Sequence, residues 1–568
     1  MRFMALAIDF DGTLAHDERV SDETLEALRR LRLSGRTPIL VTGRIVSDLR
    51  RVFDHADLFE IVVAENGAVL FDPATSKIEP LAPAPPEDFI AALAAKGVAP
   101  LERGEAIVST RVPHDREVLE TIREQGLDLT VVFNKGAVMT LPAAVNKATG
   151  LSAALASRKL SFHNVAAIGD AENDIVFLER CEAAFAVANA LESVKQRCDA
   201  TTEGDHGRGV RELIDRLIAD DLRSVAAIDR RHQIPLGRDA AEAVVSVPAG
   251  CRGVLLAGTS GGGKTRFVSG FIERVAAAGY QYCVIDPEGD YGQIDGSILL
   301  GDEKAPPSDE AIARAILEDD NPILCLLAVP PEDRPAHARA LLSTLAELRV
   351  THGRPHWLVI DEAHHLLPVH SVVESAPEDT GSTLFITTRP ELVAQESLSS
   401  LDVVLAVGDD PRATIESARK IIGLKDPPAE VSRDHVPSGR MIVWRRDDPA
   451  RAVAIETFRS EAEHVRHLRK YAEGELAEEK SFYFTGPHNK QRLRAQNLMI
   501  FAQLAEGVDD ETFRYHLKRH DYSRWICDAI GDEDLGEAVK AIETENGGLD
   551  EDRRRLAAAV RERYTTPG

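Results

Sequence analysis

The chain has 568 residues, of which 28% are charged and 5% aromatic, a composition typical of a globular protein of roughly three or four domains. Its formal net charge of -26 opposes general binding to nucleic-acid backbones, although a local basic site stays compatible with it. Because no stretch has the ~18 apolar residues of a membrane span, and none of the six cysteines forms a Cys-x-x-Cys pair, we expect a cytoplasmic protein with reduced thiols and no membrane contact.

The first motif is a buried strand that ends in two acids. An apolar run over residues 5–8 leads into the sequence Asp-Phe-Asp-Gly-Thr at positions 9–13. Such a run predicts a parallel strand that brings carboxylates to the carboxyl end of a sheet. Gly12 permits a sharp turn, so Asp9 and Asp11 can converge on one bound group. Covalent hydrolysis of a phosphate ester needs one carboxylate to attack phosphorus and another to handle the leaving group's proton. The alternative is a strand-end turn with two incidental acids.

Three further predicted strands also end in polar motifs. A helix capped by Ser21 precedes the strand 37–41, which ends in a Thr-Gly-Arg sequence whose hydroxyl is well placed for a phosphate oxygen. The strand 61–64 ends in Glu-Asn-Gly, and the strand 165–168 ends in the acidic sequence Gly-Asp-Ala-Glu-Asn-Asp. A third acidic strand end indicates a hard cation such as Mg²⁺, which takes oxygen ligands.

These motifs, in this order, resemble those of the haloacid dehalogenase superfamily, and specifically its Cof-like (type IIB) phosphatases, over about residues 1–220. The resemblance implies a Rossmann-like α/β core under an α/β cap, Mg²⁺ as cofactor and a small phosphorylated metabolite as substrate. It makes Asp9 the nucleophile that forms an aspartyl-phosphate and Asp11 the general acid and base. The remaining roles that it implies are phosphate binding by Thr42, Gly43 and Lys147, and Mg²⁺ ligation by Asp9, Asp11 (through its carbonyl), Asp170 and Asp174, with Asn173 in support. Lys147 has a plain alternative as a solvated lysine at a helix start.

An insert between the third strand and Lys147 begins with an Ala-Pro-Ala-Pro-Pro linker. It is predicted to form strands over 106–112, 129–133 and 137–141 around a helix near 116–125. This insert resembles the short cap domain that such phosphatases place over the active site. Arg111, His114 and Asn134 are candidate substrate contacts, and for each an ordinary surface position is favoured.

A second set of motifs follows residue 247, after a stretch that is expected to be rich in loops. A strand over 251–257 leads into Gly-Thr-Ser-Gly-Gly-Gly-Lys-Thr and then a helix, which is the order of a P-loop. Backbone N–H groups of such a loop surround nucleotide phosphates, its lysine reaches the β and γ oxygens, and its threonine ligates Mg²⁺. The ATP-binding candidates are therefore Gly258, Thr259, Ser260, Gly261, Gly262, Gly263, Lys264 and Thr265. The alternative is a glycine-rich turn without a nucleotide.

Further strand ends fit the P-loop. The strand 357–360 ends in Asp361, expected to support Mg²⁺, and Glu362, expected to polarise the attacking water. With the strand ends at 286–291 and 387–390, these motifs resemble the HerA/FtsK branch of P-loop ATPases over about residues 245–457. Thr388 stands where that branch usually has glutamine, and no HerA-type β-barrel segment precedes the P-loop. Ring assembly and DNA translocation are therefore weaker expectations than ATP binding.

The C-terminal part predicts a charged connector helix over 459–479 and a small helical domain. Leu493, Leu498, Phe513 and Trp525 belong to a helix-like apolar spacing. Basic residues near 490–494 and 516–524 are interleaved with aromatic ones, which is compatible with binding an anion or a nucleic acid. A solvated charged face is favoured.

The sequence thus predicts an α/β protein with four parts: a hydrolase core over 1–82 and 146–222, a cap over 83–145, a P-loop ATPase domain over 223–458, and a connector with a small α-helical domain over 459–568. The leading hypothesis is a Mg²⁺-dependent phosphomonoesterase fused to an ATP-hydrolysing domain. The alternative is an ATP-driven motor or regulatory ATPase, DNA-related or not, in which the phosphatase part is a sensor. Assembly of copies through the ATPase domain stays open, as does control of the phosphatase cap by closure around ATP.

Overall fold

The computed structural model describes residues 1–134, 136–259, 263–291, 294–369, 381–424, 436–437, 439–458, 460, 476, 481–530, 532–545 and 548–564. They belong to two compact units, Met1–Phe458 and Arg459–Gly568. Among these residues no helix combines the length and the apolarity needed to cross a bilayer. Most of the predicted connector helix, and Ser260, Gly261 and Gly262 of the predicted P-loop, lie outside the described residues.

The first half of unit one is built on a largely parallel sheet of eight strands, and a separate sheet of four strands forms the insert. The twelve strands are β1 (Ala5–Asp9), β2 (Thr37–Val41), β3 (Ile61–Ala64), β4 (Val69–Asp72), β5 (Lys77–Pro80), β6 (Glu102–Arg103), β7 (Val108–Arg111), β8 (Leu129–Asn134), β9 (Ala137–Pro142), β10 (Val165–Gly169), β11 (Ala183–Ala186) and β12 (Ala200–Thr201). The large sheet has the order β12-β11-β10-β1-β2-β3-β4-β5, with β4 and β5 antiparallel. β1 is central and wholly buried, as its apolar run predicts.

Helices cover this sheet and the sheet of the insert. They are Asp22–Leu33, Val46–Val52, Glu87–Ala95, Asp115–Gln125, Lys147–Ser157, Ile175–Leu178, Glu192–Lys195, His206–Asp220 and Ala226–Arg231. Ser21 caps the first of them by accepting the Thr24 N–H, as the sequence predicts. Asn146 caps the helix of Lys147 through a reciprocal pair of hydrogen bonds with Thr149, so the position of that lysine is fixed at a first helical turn.

The insert is an antiparallel sheet of order β6-β7-β9-β8 packed on two helices. Its small core includes Phe89, Leu93, Val118 and Val138. The three predicted strands and the helix near 116–125 are present. The helix Glu87–Ala95 was not predicted, because the proline-rich sequence before it indicates only a linker. Pro86 in fact stands at the N-terminal end of that helix.

The second half of unit one is a sheet of eleven strands. Its strands are β13 (Gln233–Asp239), β14 (Val244–Pro248), β15 (Gly253–Gly258), β16 (Tyr282–Asp286), β17 (Ser297–Leu300), β18 (Asn321–Cys325), β19 (Trp357–Ile360), β20 (Ser382–Thr387), β21 (Leu401–Val407), β22 (Arg440–Arg445) and β23 (Ala452–Thr457). The order is β14-β13-β23-β22-β21-β15-β20-β19-β16-β18-β17, and the seven strands from β21 to β17 are parallel. Successive β15 residues enter the core on alternate faces of this sheet, which explains its uninterrupted apolar run.

The helices of this half are Lys264–Ala277, Asp309–Leu317, Arg334–His352, Ala363–Leu366, Gln395–Leu398 and Pro411–Ile421. The expectation of a loop-rich stretch before residue 247 was wrong, since β13 and β14 form an antiparallel hairpin at the sheet edge. The strand register shifts between Pro235 and Gly237. This irregularity interrupts the alternation of apolar and polar residues by which a strand is predicted from sequence.

The two halves of unit one meet at the amino ends of both sheets. Ser161 Oγ lies 2.9 Å from His356 Nε2, and the Tyr280 hydroxyl donates to Glu182 Oε2 at 2.8 Å. Residues 161 and 182 precede β10 and β11, whereas residues 280 and 356 precede β16 and β19. A cavity of about 480 Å³ lies in this junction and is lined by both halves. The carboxyl ends of the two sheets, where the acidic motifs lie, therefore face away from the junction.

The C-terminal unit combines a two-stranded hairpin, β24 (Phe482–Phe484) and β25 (Leu493–Ala495), with helices. The helices are Leu498–Gly507, Asp510–Lys518, Asp521–Trp525, Glu533–Glu545 and Leu549–Tyr564. The helix-like spacing predicted for Leu493 was wrong, because this residue pairs with Phe484 in the hairpin. Several basic side chains are bound to neighbouring acids: Lys490 donates to Glu511 at 3.0 Å, and Arg519 to Asp521 at 3.2 Å. This pairing favours the solvated charged face over an anion site.

Candidate functional site

The first acidic motif ends β1 at the carboxyl edge of the central sheet. Asp9 is the last residue of β1 and is only 4% exposed. The chain then turns, and the Leu14 and Ala15 N–H groups both donate to the Phe10 carbonyl. Gly12 has φ +93°, a left-handed conformation that glycine adopts without strain. Asp11 consequently lies close to the buried Asp9 at the carboxyl edge of the sheet, and the Asp11 side chain is partly exposed to solvent.

Lys147 connects this strand end to the last one. Its Nζ donates to Asp9 Oδ1 and to Asp174 Oδ1, each at 2.6 Å, and its side chain is 2% exposed. The first turn of the helix that carries Lys147 packs against the turn after β3. A Cβ on Gly67 would lie 1.9 Å from the Asn146 carbonyl oxygen, so only glycine permits this approach. The plain interpretation of Lys147 as a solvated lysine is therefore wrong.

Three carboxylates, two of them in contact with this lysine, form a cluster. Asp9, Asp170 and Asp174 each place an oxygen within 4.8 Å of the others. Asp174 Oδ2 accepts the N–H groups of Asp170 and Ala171 at 3.0 Å, and Thr13 Oγ1 donates to Asp170 Oδ1 at 3.3 Å. The predicted supporting residue Asn173 instead donates to Asn66 Oδ1 at 3.2 Å, which joins two strand ends. The cluster consists of hard oxygen donors, which fits Mg²⁺.

Burial and mutual repulsion dominate the electrostatics of the cluster. Burial raises the pKa of Asp9 well above its usual range, and the Asp174 charge raises it further, against the opposing effect of Lys147. For Lys147, burial alone would lower the pKa, but the carboxylates of Asp174 and Asp9 outweigh this and raise it. The pocket therefore keeps its lysine charged and favours additional positive charge beside the three acids.

The motif after β2 contributes a residue to which the sequence assigned no role. Thr42 is buried, and its Oγ1 accepts the Arg44 N–H at 3.1 Å. The Arg44 guanidinium donates to both oxygens of Asp11, at 2.8 and 2.7 Å. It also contacts Glu18 at 2.9 Å and Asp48 at 2.7 Å. Its position next to Thr42 and Gly43 is the sequence signal that could have identified it.

The cap is attached directly to the active-site edge. The buried carboxylate of Glu65, in the turn after β3, accepts the N–H groups of Glu105 and Ala106 at 2.9 Å each. Of the candidate substrate contacts, Arg111 is exposed and the His114 ring lies 3.9 Å from Glu117. The side chain of Asn134 lies outside the described residues. Glu65 therefore fixes the cap, a role that the sequence did not reveal.

A second candidate site lies at the carboxyl edge of the other sheet. Lys264, 9% exposed, starts the helix after β15 and donates to the carbonyls of Gly258 at 3.1 Å and Thr259 at 2.9 Å. Burial lowers the pKa of Lys264, and the Glu362 and Asp361 charges oppose this effect. Thr265 is exposed, and Gly263 has a left-handed φ of +80°. In the described part of the predicted phosphate loop, two backbone carbonyls thus accept hydrogen bonds from the ammonium group of Lys264.

The acids after β19 face this lysine. Burial raises the pKa of Asp361 to about 7, to which the charges of Glu362 and Asp286 contribute. Glu362 Oε2 lies 3.3 Å from His364 Nδ1. The same nitrogen lies 3.0 Å from the Thr387 hydroxyl. The imidazole of His364 therefore connects Glu362 to Thr387, and not to the neighbouring Thr388.

The fold and the first site define a Rossmann-like α/β domain whose acidic cluster lies at the carboxyl edge of a parallel sheet, where the insert is attached. The family model described as haloacid dehalogenase-like hydrolase matches residues 6–98 and 105–214. A phosphoglycolate phosphatase of Methanothermobacter thermautotrophicus is 32% identical over 225 residues, which are 38% of this chain and 98% of that protein. Through this region, the chain belongs to the haloacid dehalogenase-like hydrolases.

Two further similarities cover the same region. A phosphoglycolate phosphatase of Methanosarcina acetivorans is 30% identical over 229 residues, 38% of this chain and 97% of that protein. The crystal structure of a haloacid dehalogenase-like hydrolase from Bacteroides thetaiotaomicron shares 19% identity with a TM-score of 0.34, and covers 38% of this chain and 99% of that one.

Proposed function

We propose that residues 1–222, with residues 83–145 as the cap, hydrolyse a small phosphomonoester through an aspartyl-phosphate on Asp9. The observation that carries this proposal is the buried contact of Lys147 with Asp9 and Asp174, each at 2.6 Å. Burying a lysine with two carboxylates costs the hydration of each ion, and titratable groups perturbed in this way are typical of functional sites. A phosphate dianion entering beside Asp9 would find this cation in place.

The proposed steps assign one role to each side chain. Asp9 attacks phosphorus while Thr42, the Gly43 backbone and Lys147 bind the phosphoryl oxygens. Asp11 donates a proton to the departing alcohol oxygen and then accepts one from the water that hydrolyses the aspartyl-phosphate. Arg44 holds both oxygens of Asp11 and fixes their direction.

Mg²⁺ fits the acidic cluster. Asp9, Asp170, Asp174 and the Asp11 carbonyl would hold it, because all of them offer the oxygen ligands that this ion takes. When bound, Mg²⁺ supplies positive charge that offsets repulsion between a phosphate dianion and the carboxylates. Two curated relatives are named phosphoglycolate phosphatase, and the short cap is compatible with a substrate of that size. We therefore propose 2-phosphoglycolate as the first substrate to test.

The test is a Mg²⁺-dependent screen of small phosphomonoesters with the full chain. Asp9→Asn keeps the shape of the side chain but removes its negative charge, so turnover should fall by orders of magnitude. Asp54→Asn, at an exposed surface position, is the matched control and should leave turnover unchanged. Wild-type turnover in Asp9→Asn would contradict the mechanism.

We further propose that residues 223–458 form a HerA/FtsK-like domain that binds and hydrolyses ATP. Support comes from Lys264 at the start of the helix after β15, facing Asp361 and Glu362 at the end of β19. Thr265 and Asp361 would support the nucleotide's Mg²⁺, and Glu362 would polarise the attacking water. By calorimetry, Lys264→Ala should weaken ATP binding. Glu362→Gln should leave binding intact and slow hydrolysis. Equal ATP affinity in wild type and Lys264→Ala would rule out this pocket.

The alternative, an ATP-driven motor with the hydrolase part as a sensor, predicts different results. It expects slow phosphatase turnover and tight, salt-sensitive DNA binding in the presence of ATP, despite the net charge of -26. A gel-shift titration with ATP at two salt concentrations distinguishes the two proposals. Residues 459–568 are proposed as a separate helical domain with its connector.

A further inference from the structure

The junction between the two halves of unit one contains a group of side chains that neither proposed activity uses. His163 Nδ1 lies 2.7 Å from Glu182 Oε2, and His232 Nδ1 lies 3.7 Å from the same oxygen. One ligand atom from each of these three residues lies within 4.8 Å of the others. The group is at the amino ends of β10 and β11, whereas the Asp9 cluster is at the carboxyl edge of the same sheet.

The two carboxylate oxygens of Glu182 bind different neighbours. Its side chain is 1% exposed, and Oε1 accepts from the Arg2 guanidinium at 2.5 Å. Oε2 faces the two imidazoles and accepts the Tyr280 hydroxyl at 2.8 Å. The arginine therefore balances the charge of the carboxylate from one side and leaves Oε2 directed at the histidines.

His232 is poorly satisfied by the side chains around it. Its Nε2 is buried and, among the residues that the structure describes, has no hydrogen-bond partner. Its Nδ1 is 3.7 Å from Glu182 Oε2, which is too far for a hydrogen bond. The Nδ1 lone pair, directed at Glu182 Oε2 but too far from it for a hydrogen bond, is therefore available to a ligand that binds both atoms, while Nε2 keeps its proton.

We propose that His163, Glu182 and His232 bind a divalent cation of the Zn²⁺ class at this junction. Imidazole nitrogens and one carboxylate oxygen are a donor set that Zn²⁺ prefers to Mg²⁺. Donors about 2.1 Å from a tetrahedral ion lie roughly 3.4 Å from one another. The separations of 2.7 and 3.7 Å lie on either side of this value, so small side-chain rotations complete the geometry.

Coordination displaces the proton that the 2.7 Å contact holds between His163 Nδ1 and Glu182 Oε2. In a neutral imidazole this proton moves to Nε2, so that Nδ1 offers its lone pair to the ion and Oε2 its negative charge. The fourth position is open to water or to the Tyr280 hydroxyl. His163 and Glu182 belong to the hydrolase half, whereas His232 lies in the segment between it and β13. The ion would therefore connect the hydrolase to the chain that enters the second half.

The test uses the full chain, stripped with a chelator and kept in excess Mg²⁺ so that the carboxylate sites are occupied. Co²⁺ should produce the visible absorption of a tetrahedral site, and calorimetry should find one tight Zn²⁺ per chain. His232→Gln and His163→Gln should weaken Zn²⁺ binding by roughly 100-fold or more. His55→Gln, at an exposed position, is the control and should bind as wild type does.

Two more variants localise the ion. Asp174→Asn and His365→Gln alter the two other groups that could hold a metal among the residues that the structure describes, Asp9–Asp170–Asp174 and Glu362–His364–His365, and should leave the tight Zn²⁺ event unchanged. Circular dichroism verifies that each variant is folded, and a folded His232→Gln with wild-type Zn²⁺ affinity overturns the proposal. Loss of the tight event in either localising variant also overturns it, as does an octahedral Co²⁺ spectrum.

Discussion

Replacing Lys147 by methionine should destabilise the hydrolase core because it removes a buried positive charge at nearly constant volume. The lysine side chain is 2% exposed and contacts Asp9 and Asp174, whose side chains are 6% and 0% exposed. Removing one partner of a buried ion pair typically costs about 3–5 kcal/mol. Two carboxylates lose their partner here, so this range is a lower bound while both stay ionised.

The loss should depend on pH. Burial already raises the pKa of Asp9, so the variant can reduce the repulsion by protonating this carboxyl. A carboxyl whose folded pKa is raised contributes its stability fully below its unfolded pKa of about 3.9, and this contribution is lost as pH rises through the folded value. Lys147→Met should therefore be less destabilised at pH 5 than at pH 8. Added Mg²⁺ should recover part of the stability at the higher pH.

Hydrogen exchange is the appropriate assay, because the three tryptophans, at 357, 444 and 525, lie outside the hydrolase half. A loss of about 3–5 kcal/mol corresponds to roughly 150- to 5,000-fold faster exchange in peptides from Ala5–Asp9 and Lys147–Ser157. Lys77→Met, which breaks an exposed pair with Glu79, is the control and should change exchange less than about fivefold. Equal exchange in the two variants at pH 8 would refute the buried-cation reasoning.

Three further outcomes are expected. Arg44→Ala frees both oxygens of Asp11 and should lower kcat by roughly 10- to 100-fold in steady-state assays, whereas an unchanged kcat would remove Arg44 from the mechanism. Gly67→Ala places a Cβ 1.9 Å from a carbonyl oxygen and should lower Tm far more than Gly97→Ala, which has a similar φ and open space. Glu65→Gln weakens two hydrogen bonds to the cap loop and should raise KM by roughly 5- to 100-fold; an unchanged KM would mean that the cap does not depend on them.

Much of the parallel architecture was predictable because buried parallel strands are continuous apolar runs. β1, β2, β10, β15 and β19 all lie within one or two residues of their predicted positions. The hairpin of β13 and β14 was not predictable, since its strands are half exposed and the first contains a bulge. Leu493 shows the same limitation: a short strand and a helix start share a local pattern until the partner strand is known.

Within the candidate site, the motifs predicted which residues meet but not how they are held. Asp11 and Arg44 are 33 positions apart, and their contact depends on the parallel pairing of β1 with β2. Glu65 reaches a loop 40 positions away, in a domain whose docking no local pattern encodes. Long-range contacts of this kind arise from the tertiary fold, so they could not be predicted from the sequence alone.

The arrangement of the two sheets amino end to amino end sets how their chemistry can be connected. Asp9 follows Arg2 by seven positions, and Gly258 follows Cys251 by seven, so at about 3.3 Å per residue each candidate site lies roughly 20 Å from the junction. If both proposed functions hold, closure around a nucleotide at one carboxyl edge and movement of the hydrolase cap at the other would take place at opposite ends of the two sheets. A coupling between the two proposed sites would therefore act through the junction at the amino ends of the strands, and not through a direct contact between loop and cap.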